Sequence, residues 1–319
     1  DNAIYWVRDF HLDGLRLDAV HAMGDDDFLV ELARQVRAHA PDRPVHLGVE
    51  NECNNGRLLA DAGLAQWNDD FHHAVHVLLT GESGGYYADY AQEPAKGLAR
   101  SLSGRFIRER SGSTPDLPPT AFVDFLQNHD HVGNRAFGER LISLAEPRAL
   151  AAAVALLLLS PSIPLIFFGE ETGAREPFLY FCDHDDPALA AAVREGRRAE
   201  FAKFPQFADP ARREEIPDPN APTTFERSRP RLEGGEEWHT LYKALLHLRR
   251  LHIVPRLKGT VADHAEAVGP KAVQANWRMG DGAMLNLFCN LGSDPVAVPA
   301  PRGETIWNRD GTLCWIAPP

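Results

Sequence analysis

Five short apolar runs, at 15–20, 45–49, 65–71, 121–126 and 163–168, constrain this chain more than any other feature. Each has the length and composition of a strand buried on both faces. Helical patterns lie between most of them. Phe28, Leu29, Leu32 and Val36 recur at helical spacing across 25–38, and Ala74, Val75 and Leu78 do so across 71–79. Residues 148–159 are an Ala/Leu helix that stops near Pro161. Strand–helix alternation with apolar strands predicts a parallel sheet covered by helices, an α/β fold.

After residue 168 the pattern changes. The stretch 177–230 is rich in proline and charge, with one helix near 187–204, and 236–251 is a second amphipathic helix. From 255 onward only short alternating runs occur, at 272–278, 283–290, 295–298 and 304–308. Gly280-Asp281-Gly282 and Asp310-Gly311 supply turns between them. The expected division is an α/β part at 1–254 and a small antiparallel, sandwich-like β domain at 255–319.

Composition excludes several classes. The chain has 319 residues, 33 basic and 45 acidic, for a formal charge of −12. Such a surface disfavours nucleic acid and anionic membranes as partners but not a neutral sugar. The longest apolar run, 149–159, is too short to span a bilayer. Cys53, Cys182, Cys289 and Cys314 form no Cys-x-x-Cys pair, so no structural zinc is expected. They read as reduced thiols of a cytoplasmic protein. No metal or cofactor is implied.

Four of the five runs end in charged or polar groups. Gly14-Leu15-Arg16-Leu17-Asp18-Ala19-Val20-His21 puts Arg16 and Asp18 on one face, because strand side chains alternate. The run at 45–49 is followed by Glu50, 121–126 by Gln127-Asn128-His129-Asp130, and 163–168 by Gly169-Glu170-Glu171. A single acid in such a place is ordinarily leaving a strand for solvent. The set is different, since a charged pair inside an apolar strand needs an internal ion pair or a functional cleft.

These segments resemble the signature motifs of the α-amylase superfamily, glycoside hydrolase family 13. Gly14-Leu15-Arg16-Leu17-Asp18-Ala19 is similar to the family's fourth barrel strand, Gly48-Val49-Glu50-Asn51 to its fifth, and 125–130 to its seventh. Within the family, the branch acting on maltooligosyltrehalose is resembled by Gln66-Trp67-Asn68-Asp69-Asp70-Phe71-His72-His73 and by Gln127-Asn128-His129-Asp130-His131-Val132-Gly133-Asn134-Arg135. So too by Gly138-Glu139-Arg140 and Pro177-Phe178-Leu179-Tyr180-Phe181. There are two departures. His131 stands where the branch usually has Gln, and Asn51 follows Glu50 where an acid is frequent.

The resemblance implies the C-terminal part of a (β/α)8 barrel, with strands like numbers four to eight, at 1–254. On that reading the N-terminal half of the barrel is a missing partner of the chain, which begins at Asp1. It implies Asp18 as nucleophile, Glu50 as acid and then base, and Asp130 as the carboxylate that grips the sugar. Arg16, His21, Asp69, Asp70, His72, Asn128, His129 and Arg135 are the implied substrate contacts. The expected reaction is retaining cleavage of the α-1,4 bond beside the terminal trehalose of a maltooligosyltrehalose. The first two carboxyls should then lie roughly 5–5.5 Å apart, against roughly 6.5–9.5 Å for inversion. A glycogen-branching transglycosylase and a non-catalytic carbohydrate-binding protein are the rival readings. Three weaker signals have plainer explanations. His72 and His76 have metal-ligand spacing but are expected at the surface or in a cleft. Asp186 is expected to cap the helix at Pro187, and Asp69 or Asp70 to cap the helix that follows them.

Overall fold

The computed structural model describes residues 1–108, 116–231, 233–298 and 300–319. Strands β1 (Gly14–Leu17), β2 (His46–Val49), β3 (Ala65–Trp67), β4 (Phe122–Phe125) and β5 (Ile163–Leu165) pair in chain order, each parallel to its neighbour. β1 and β2 approach closely at Gly14, where a Cβ would sit 2.3 Å from the His46 carbonyl oxygen. Parallel pairing points every C-terminal strand end to the same side of the sheet. Whatever follows Leu17, Val49, Trp67 and Phe125 therefore shares one rim.

The strands are shorter than the apolar runs, for an identifiable reason at β3. Asn68 turns the chain and accepts a hydrogen bond from the Phe71 N–H at 3.3 Å. The run 65–71 thus divides into a three-residue strand and the start of a helix. Asn68 is the cap, and Asp69 and Asp70 are first-turn residues, which corrects the expected assignment. Asp186 does cap its helix, accepting from Ala188 N–H at 2.8 Å.

The helices in chain order are α1 (Asn2–Asp9), α2 (Asp26–Ala38), α3 (Gly56–Ala62), α4 (Asp69–Thr80), α5 (Pro94–Leu102), α6 (His129–Gly133) and α7 (Leu141–Leu144). Then come α8 (Pro147–Leu159), α9 (Pro187–Phe201), α10 (Pro210–Glu214), α11 (Pro222–Arg227) and α12 (Glu236–Leu248). α8 is apolar nearly all round and is correspondingly central, packing on α4, α7, α12 and the second sheet. Its C-terminal carbonyls lack helical partners. After α12 a π-turn, Arg249–Ile253, brings Arg249 inward to donate to the Leu158, Ser160 and Ser162 carbonyls.

The second sheet is antiparallel in the order β6-β7-β8-β10-β9, with β6 (Val261–Gly269), β7 (Ala272–Arg278), β8 (Met284–Asn290), β9 (Glu304–Arg309) and β10 (Thr312–Ala317). The run at 295–298 forms no strand. α5 lies on β6 and β7, and α8 on β8 and β10, so helices cover this sheet. Trp277 is buried there, its indole N–H donating to the Leu102 carbonyl at 3.1 Å. One apolar core runs through α4, α5, α8, α12 and the second sheet; another lies beneath β1 and β2 against α2 and α3. Among the described residues no helix is long and apolar enough to cross a membrane.

Candidate active site

In the in-register β1–β2 pair, Leu17 lies opposite Val49, which sets Asp18 and Glu50 side by side at the rim. Arg16 is their common partner. Its Nη1 donates to Asp18, its Nη2 donates to Glu50 Oε2 at 2.9 Å, and Asp130 Oδ2 lies 4.0 Å from Nη2. The guanidinium carbon lies over the Trp67 ring, 4.4 Å from its centroid. Three carboxylates from the ends of β1, β2 and β4 thus meet around one cation.

The environment separates the first two acids. Hydrogen bonding with Glu50 and the charge of Arg16 hold the Asp18 carboxyl below its usual range. Burial pushes Glu50 up, helped by Asp18 and Asp130, against the opposing Ala19 N–H and Arg16. Of the two, Asp18 is the one favoured as a carboxylate and Glu50 the one favoured to hold a proton.

Ala19 contributes through its backbone. It adopts φ 45° and ψ 44°, a left-handed conformation that is uncommon outside glycine, and its N–H donates to Glu50 Oε2 at 3.1 Å. Val20 N–H to the Glu50 carbonyl and Glu50 N–H to the Leu17 carbonyl, both 3.0 Å, fix the two chain segments.

The rim opens on a cleft of about 420 Å³ whose walls include Glu50, Trp67, Asp69, His73, Tyr86 and Asp130. Asp18 stands at the outer edge of the sheet with its side chain 74% exposed. Asn128 caps α6, accepting from His131 N–H at 2.8 Å, and also reaches the cleft. His129 Nε2 lies 3.3 Å from Asp130. His21 Nδ1 accepts from Glu52 N–H at 3.4 Å, beside the rim.

Three of the expected contacts are tied to protein groups. Asp70 lines the cleft but is buried, accepting from the Tyr90 hydroxyl at 2.5 Å and the Ile107 N–H at 2.6 Å. His72 is 2% exposed and lies behind His131. Arg135 makes a two-pronged bond to Glu82, at 2.8 and 2.9 Å, and another to Glu139. Glu82 also meets His76 at 2.8 Å; His72 and His76 are interior histidines, where a place at the surface or in a cleft was expected. Among the described residues no metal-binding cluster occurs.

The sequence reading missed His73, Tyr86, Tyr90, Asn54 and Glu52 on the cleft wall. The Gly84-Gly85-Tyr86-Tyr87 stretch, glycines before paired aromatics, is the available signal for Tyr86.

Residues 262–314 match a family model described as a domain of unknown function, DUF3459. The malto-oligosyltrehalose trehalohydrolase of Arthrobacter ramosus is 41% identical over 96% of this chain and 55% of its own length. That of Mycobacterium tuberculosis is 37% identical over 100% of this chain and 57% of its own. The chain spans a little over half the length of these curated relatives. A crystal structure of a candidate alpha amylase from Salmonella typhimurium superposes with a TM-score of 0.86 at 38% identity, covering 99% of this chain and 59% of that one. A Nostoc punctiforme debranching enzyme, at TM-score 0.58 and 16% identity, shares the fold. Over nearly its whole length the chain is thus similar to malto-oligosyltrehalose trehalohydrolases, and its motif order and parallel sheet resemble those of the α-amylase superfamily of glycoside hydrolases.

Proposed function

We propose that this chain carries the catalytic carboxylates of a retaining α-glucan hydrolase that cuts the α-1,4 bond beside a terminal trehalose. The observation that carries the reading is the Arg16 hub, which gathers Asp18, Glu50 and Asp130 while the first two acids are driven apart in proton affinity.

Asp18 attacks the anomeric carbon as Glu50 protonates the departing glycosidic oxygen, and the trehalose-bearing end leaves as an alcohol. A water then gives its proton to Glu50, attacks the same carbon from the freed side and displaces Asp18. Arg16 keeps Asp18 ionised, and Asp130 accepts sugar hydroxyls while opposing the oxocarbenium charge. Residues 1–254 form the catalytic part and 255–319 a β module against it. The protein acts in the cytoplasm, in keeping with the buried thiols of Cys289 and Cys314.

The test is to incubate the intact protein with maltotriosyltrehalose and with maltopentaose, identifying the products and the first-formed anomer. Trehalose with α-maltotriose is expected from the first, and slower cleavage from the second. Longer branched glucans would favour the transglycosylase, and an absence of any product would favour a binding protein. A β-anomer would end the assignment of Asp18 as nucleophile.

A further inference from the structure

We propose that His131 is a substrate-positioning residue, which through its bond to Asp69 and its stack on His72 presents Asp69 as the acceptor for sugar hydroxyls on the leaving-group side of the cleft. The inference deepens the reaction proposed above and rests on it.

His131 follows Asp130 directly and lines the cleft with its side chain 12% exposed. Its Nε2 lies 3.2 Å from Asp69 Oδ1. A carboxylate can only accept, so the ring donates its Nε2–H. Burial raises the proton affinity of Asp69, but the bond and charge of His131, followed by His73 and then Arg16, more than offset this, and its carboxyl lies below the usual range. One bond leaves a carboxylate with acceptor capacity to spare. Asp69 and Trp67 stand on the same wall, facing the space beside Glu50.

His131 itself has little freedom. Its ring lies on that of His72 at 3.9 Å and 8°, and its backbone N–H is held by the Asn128 cap. His72 is a fixed platform. Its Nδ1 donates to the Leu126 carbonyl at 2.7 Å, which leaves Nε2 to accept from the Tyr87 hydroxyl at 3.2 Å. Burial keeps it neutral. The layers Tyr87, His72, His131 and Asp69 thus run from the interior out to the cleft. A buried histidine with only a packing role does not need its polar edge aimed at an ionised cleft residue. This also gives a use to the His that replaces the branch's usual Gln: either side chain can donate N–H to Asp69.

The experiment measures kcat and KM for maltotriosyltrehalose in the intact protein and in His131→Ala, His131→Gln, Asp69→Asn and the Ala/Asn double variant. Loss of one charge-assisted bond that orders a binding group predicts a KM raised by about tenfold in His131→Ala, with kcat within about twofold. His131→Gln should recover most of the loss. The double variant should be no worse than Asp69→Asn alone, because the two residues act as a unit. An unchanged KM in His131→Ala, a fall confined to kcat, or full additivity in the double variant would overturn the role of His131. Failure of the unaltered protein to release trehalose would instead overturn the reaction, so the two failures are separable.

Discussion

The rim of the parallel sheet and the core between α8 and the antiparallel sheet are built on opposite principles. At the rim, Arg16, Asp18, Glu50 and Asp130 concentrate charge where strands end, and backbone donors and an aromatic face hold them. In the core, Trp277, Leu285 and Leu287 are almost wholly buried among apolar neighbours. Chemistry resides where polar groups tolerate partial exposure, and cohesion where they are absent. The two regions should therefore respond to mutation in different measurements.

The largest expected effects separate them cleanly. Asp18→Asn, Glu50→Gln and Asp130→Asn should each lower turnover by about 10³-fold or more while leaving the thermal midpoint in place. Next, Trp277→Ala should cost about 3–5 kcal/mol in urea unfolding, with kcat/KM of the folded fraction preserved. If a rim variant melted early, or Trp277→Ala abolished turnover while folded, the division would be wrong.

A smaller effect tests a residue that belongs to neither side. Glu170 is buried below the rim, accepting from Gln127 at 2.7 Å, and burial pushes its carboxyl up to about 8 from 4.5. The folded chain keeps this proton through neutrality while the unfolded chain loses it above about 4.5. Its contribution to stability is therefore full below about 4.5 and is lost as pH rises towards 8. Glu170→Gln should gain on the unaltered protein as pH goes from 5 to 8, read as the difference between unfolding curves. The smallest effect is the control. Asp25 caps α2 on an exposed turn, accepting from Phe28 N–H at 2.9 Å, and Asp25→Ala should cost about 1 kcal/mol without touching activity.

Asp18 and Glu50 were legible because each directly follows its strand and the two strands pair in register, whereas Asp130 lies beyond β4 in α6 and was legible through the Asn-His-Asp motif. The interior polar groups were not. α4 is buried from Asp70 to Leu79, so His72 and His76 have no solvent side, although a surface or cleft position was expected for both. That depends on α5, α8 and β4 closing around it, which no local pattern states. The same holds in the second sheet. β6 alternates Ala with His, Asp and Glu, residues with weak strand preference, and pairing with β7 rather than propensity makes it a strand. Conversely 295–298 has strand-like residues and finds no partner.

The left-handed turn at Ala19 restricts what can be changed beside Asp18. Glycine and asparagine visit that conformation at low cost, whereas a branched residue such as valine resists it. A saturation library at this position should retain Gly and Asn and discard Val and Ile. The discarded clones would also withdraw an amide from Glu50, so they should show a displaced basic limb in their rate profile before any loss of fold.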